Sequence, residues 1–90
     1  MKISLILFSM NDGRNQNMVS AIKSFEMWAR VTENAWCVKS EIETTQKLKS
    51  AIKEKCQVQD NERLFVVNIT DSPWASSNVP QDVADWLKVM

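Results

Sequence analysis

Ninety residues with eleven basic and eleven acidic side chains carry no net formal charge, and histidine is absent. That balance argues against a strongly basic nucleic-acid binder, and the lack of imidazole removes the usual acid–base group near neutrality. A single domain, residues 1–90, is expected; a chain this short hides only about 60–65% of its unfolded surface, so pairing with a second copy would add burial.

Ile3–Ser9 is a continuous apolar run of strand length, the pattern of a central strand covered on at least one face. Asn11, Asp12 and Gly13, the only glycine, then form a turn cluster, since these residues tolerate positive φ. Asn15 or Asn17 is placed to cap a helix in which Met18, Ile22, Phe25 and Ala29 recur at helical spacing, with Trp28 near its end. Arg30–Glu33 and Ala35–Ser40 read as the arms of a hairpin turning at Glu33-Asn34. In its second arm Trp36 and Val38 alternate with Cys37 and Lys39, so Cys37 belongs to the sheet face opposite the two larger side chains.

Thr44 and Thr45 are N-cap candidates for a helix over Gln46–Cys56. It has one narrow apolar stripe and lysine-rich remaining faces, with Lys47, Lys49, Lys53 and Lys55 opposed by Glu54. Asp60-Asn61 turns the chain into a second strongly apolar strand, Arg63–Thr70. The segment 71–80 has loop composition. Pro80 suits a first helical position, and Val83, Trp86, Leu87 and Met90 space a short closing helix. The order β-α-β-β-α-β, with a terminal helix, is that of a ferredoxin-like α+β sandwich: two helices on one face of a four-stranded antiparallel sheet.

Little in this chain carries chemistry. One glycine cannot build a phosphate-cradling loop or a dinucleotide fingerprint. Two cysteines without a C-x-x-C pair, and no histidine, do not make a zinc site; whether Cys37 and Cys56 pair is left open by the spacing. Neither Cys37 nor Ser9, Ser20 and Ser24 has an evident activating base. Lys2 with Ile3–Met10 superficially resembles a signal peptide, but no small-residue cleavage site follows, and no run approaches a membrane span. A cytoplasmic location without membrane partners is therefore expected.

Four tryptophans without a single tyrosine are unusual. Core and dimer packing is the first expectation for Trp28, Trp36, Trp74 and Trp86. Trp74 sits in a polar loop and would tuck under that loop, dock into a second chain or serve as a nucleobase-stacking platform, in the last case with Arg14 and Arg30 as phosphate contacts. The Lys47, Lys49 and Lys53 cluster offers a further contact to nucleic acid or an acidic partner.

Several segments together resemble small ferredoxin-fold proteins related to the CRISPR-associated dimeric nuclease family, in its SinR-like branch, with VapD-type toxins more distant. They are Trp28 with "AWCVKS" (Ala35–Ser40), "DNERLFVVNI" (Asp60–Ile69), "PWASS" (Pro73–Ser77) and "DWLK" (Asp85–Lys88). The resemblance implies a homodimer joined through sheet edges and C-terminal segments, with Trp74, Trp86 and Leu87 as dimer contacts. It also implies a divalent-metal site in the dimer cleft, built on an aspartate that ends the first strand. Here Phe8-Ser9 stands at that position, and a neutral hydroxyl is a poor ligand for a hard cation. The expectation is therefore a non-catalytic homodimeric module without a cofactor. It would bind protein or nucleic acid, as an accessory in a toxin–antitoxin, mobile-element or phage-defence setting. The alternative is a magnesium- or manganese-dependent endonuclease in which Asp12 replaces the missing aspartate.

Overall fold

The computed structural model describes residues 2–25, 27–71 and 77–88. Its elements are β1 (Lys2–Ser9), α1 (Asn15–Lys23), β2 (Met27–Thr32), β3 (Ala35–Ser40), α2 (Thr45–Cys56), β4 (Arg63–Asn68) and α3 (Gln81–Lys88). The four strands form one sheet in the order β2-β3-β1-β4, and every neighbouring pair is antiparallel. The fold is thus α+β.

β1 is central because its residues are apolar on both faces. Ile6 and Phe8 point to one face with Trp36 and Val38 of β3 and the half-buried Leu64 and Val66 of β4. Met18 and Ile22 of α1 and Leu48, Ile52 and Cys56 of α2 close over them as the main core. Three of the α2 residues recur every four positions, so they stack on one helix face. The Thr44 hydroxyl accepts from the Lys47 N–H and caps that helix.

The other face carries Ile3, Leu5 and Leu7 of β1, Ala29 of β2, Cys37 and Lys39 of β3, and Phe65 and Val67 of β4. α3 lies here against β2. The Lys39 ammonium donates to the Trp86 carbonyl at 2.9 Å and sits 4.2 Å from the Trp86 ring centre. Ile3, Ala29 and Cys37 are buried on this face.

The first helix differs from expectation. It stops at Lys23, and Trp28 and Ala29 belong to β2, not to the end of α1. Phe25 still packs on the core, but from the turn. Ala29 is buried opposite Cys37 in the sheet. An apolar residue that suits a helix stripe thus also suits a strand, and pairing with β3 decides the outcome. Neither Asn15 nor Asn17 caps α1; the N-cap is Arg14, without a side-chain cap bond. The hairpin does turn at Glu33-Asn34. There Asn34 continues the ladder onto β1, exchanging Phe8 N–H to Asn34 C=O and Asn34 side-chain amide to Phe8 C=O, each at 3.1 Å.

Candidate interaction surface

The turn after β1 delivers an arginine into the fold. Gly13, at φ +81°, completes the reversal that aims Arg14 back across the α2–β4 connection. The Arg14 guanidinium donates from Nε to Glu62 Oε2 at 2.7 Å and from Nη2 to Glu62 Oε1 at 3.1 Å. The same Nη2 donates to the Cys56 and Gln57 carbonyls, the C-terminal end of α2. Glu62 has a fully buried side chain and also accepts from the Asn11 and Gln59 backbone N–H groups. The Arg14 hydrogen bond holds the Glu62 carboxyl at about 2, against an ordinary 4.5, with the two backbone donors helping and burial opposing. This is a clamp between two loops. Sequence reasoning assigned Arg14 to phosphate and did not single out Glu62; nothing in their spacing links positions 14 and 62.

Asp12 stands exposed at the tip of that turn. Among the described residues no three His, Cys, Asp or Glu side chains are grouped to hold a metal ion.

The lysines of α2 do not gather on one side. Lys49 and Lys53 flank β4, bordering a cleft of about 330 Å³ with Val58 and Leu64. Lys47 pairs with Glu43 at 3.4 Å, both exposed. Lys55 reaches over the Phe25 ring, 5.7 Å from its centre. Arg30 is exposed on β2, beside a groove of about 580 Å³ between β2 and α3 that Trp28, Val83 and Trp86 also line. Lys23 lies 5.1 Å from the Trp28 ring centre and 5.8 Å from that of Trp36. Trp86 and Leu87 are half-buried on α3. Trp74 lies outside the described residues.

Both cysteines are buried and unpaired. Cys56 belongs to the core under α1 and α2, whereas Cys37 faces the opposite side of the sheet. Burial alone pushes the Cys37 thiol up to about 11 from 9.0. Burial also raises Cys56, with Arg14 pulling the other way.

The surface that stands out is the far half of the second face. Leu7 and Phe65 are directly paired there and are 39% and 61% exposed. They line a shallow pocket of about 420 Å³ with Ser9 and Arg63. Phe65 lies on β4, which among the described residues has β1 on one side and no strand on the other. The backbone N–H of Ile69 donates to Ile3 of β1 at 2.9 Å. By alternation, Val67 and Phe65 also turn their main-chain groups toward β1, while Leu64, Val66 and Asn68 turn theirs outward. No lysine, proline or register shift interrupts Arg63–Asn68. The opposite edge, β2, has an irregularity between Arg30 and Thr32 and α3 beside it, the devices that normally blunt an edge.

Comparison with protein-family models, curated proteins and solved structures returned no match. Among the described residues no helix is long and apolar enough to cross a membrane.

Proposed function

We propose that the chain is a non-catalytic homodimeric binding module of ferredoxin-like type, working in the cytoplasm through protein or nucleic-acid contacts and without a cofactor. The strand order β2-β3-β1-β4, with α1 and α2 on one face, supports the fold reading. The resemblance to the dimeric nuclease family rests on its sequence motifs. The observation that carries the dimer is Phe65, 61% exposed on an edge strand whose own residues include no lysine or proline. Open main-chain groups and an apolar ring side by side are the ingredients of strand-to-strand association. Withdrawing about 100 Å² of each ring from water contributes roughly 2 kcal/mol.

Sedimentation equilibrium tests this reading. The native chain is expected to self-associate in the micromolar range, and Phe65→Ser to weaken association by at least about tenfold. A native chain that stays monomeric throughout that range overturns the proposal. The alternative, a metal-dependent endonuclease of RNA or DNA, would bring one Asp12 from each protomer to the dimer cleft, and loss of any metal-dependent cleavage in Asp12→Asn is its test.

A further inference from the structure

We propose that two copies join β4 to β4, antiparallel, about a two-fold axis through Val66, so that the two four-stranded sheets become one continuous sheet. This rests on the dimer reading above and adds the edge, the register and the symmetry.

Three arguments fix the arrangement. First, a continuous sheet needs facing residues on the same side, and a slip of one residue would turn Phe65 to the wrong face. The axis must therefore pass through a residue and not between two. Second, the outward main-chain groups belong to Leu64, Val66 and Asn68. An axis at Val66 sets Leu64 opposite Asn68 and Val66 opposite its own copy, so all three residues join the ladder. An axis at Val67 would call on Thr70, whose N–H is already held by the Asn68 side chain at 2.8 Å and whose successor Asp71 leaves extended backbone at φ +59°. An axis at Phe65 would call on Glu62, whose N–H is already bonded to Gln59 at 3.0 Å.

Third, the side chains agree. With the axis at Val66, Phe65 falls opposite Val67 in a non-hydrogen-bonded pair, the class in which side chains approach most closely. The band Leu7, Phe65, Val67 then runs unbroken across the junction on the face that α3 leaves open. The one charged residue of the strand, Arg63, falls opposite Ile69. The two arginines lie at opposite ends, about 20 Å apart, beyond a Debye length at physiological salt.

Cysteine cross-linking in the full chain tests the register. R63C and I69C, which the proposed register sets opposite each other while leaving Phe65 intact, are prepared separately, then oxidised singly and as an equimolar mixture, with R30C on the β2 edge as the comparison. Cys37 and Cys56 are buried, and oxidised native chain supplies their background. The expected result is a mixed R63C–I69C dimer formed severalfold in excess of any single-variant product. A chain that sediments as a dimer but cross-links best through R30C, I69C alone or R63C alone overturns the register and leaves the homodimer standing. A chain that neither associates nor cross-links overturns both.

Discussion

At the residue scale the decisive group is Glu62, a carboxylate with donors from three residues and no solvent exposure of its side chain. Its carboxyl is held at about 2 in the fold and rises to its ordinary 4.5 on unfolding. A depressed pKa stabilises above the unfolded value and loses that stabilisation as pH falls toward the folded value. Glu62→Gln should therefore lower the urea midpoint at neutral pH. The gap from the native chain should be full above pH 4.5 and shrink as pH falls toward about 2, in denaturation curves across that range. The cysteines give a second expectation. With the sheet between them, Cys37 and Cys56 form no disulfide within one chain, and Cys37, held at about 11, resists alkylation. Thiol titration should find both groups only after denaturant is added.

At the element scale α2 shows what its pattern was for. Ile52 is completely buried at the middle of its Leu48–Ile52–Cys56 stack. Ile52→Ala should cost about 2–5 kcal/mol, measured by chemical denaturation. β1, β3, α2, β4 and α3 were legible because a single signal dominated each: an unbroken apolar run, strict alternation, a threonine cap, a proline before a short amphipathic stretch. β2 was only half legible. "MWARVT" (Met27–Thr32) mixes buried, half-buried and exposed positions, so its strand character comes from the β3 ladder, which local sequence does not display. The candidate surface was legible to a similar degree. "RLFVVN" (Arg63–Asn68) announced an apolar strand, but not that it would lie at an edge with Phe65 uncovered. Edge and centre differ by topology, and topology is set by residues far away in the chain. The Arg14–Glu62 pair was hidden for the same reason: the two residues lie far apart in the chain, and a lone arginine in a turn looks like a free charge.

At the scale of the whole molecule, α3 covers the second face unevenly. It lies against β2, where Ile3, Ala29 and Cys37 are buried, and Leu7 and Phe65 remain open on the β4 side. Association through that side couples assembly to folding by mass action. The thermal midpoint should therefore rise with protein concentration for the native chain and become independent of it for Phe65→Ser, in calorimetric scans over a range of concentrations.

The clamp at the end of β1 also gives the molecule a weak pole. Glu62 holds the amides of both Asn11 and Gln59, which lie in separate connections at one rim of the sheet. Once its carboxyl takes up a proton, both amides lose a charged acceptor together, while β1, β3 and β4 themselves contain no carboxylate. Acid should thus loosen this rim before the body of the sheet gives way. In deuterium exchange below pH 4.5, Asn11 and Gln59 would brighten as a pair while Ile6 and Val38 stayed dark.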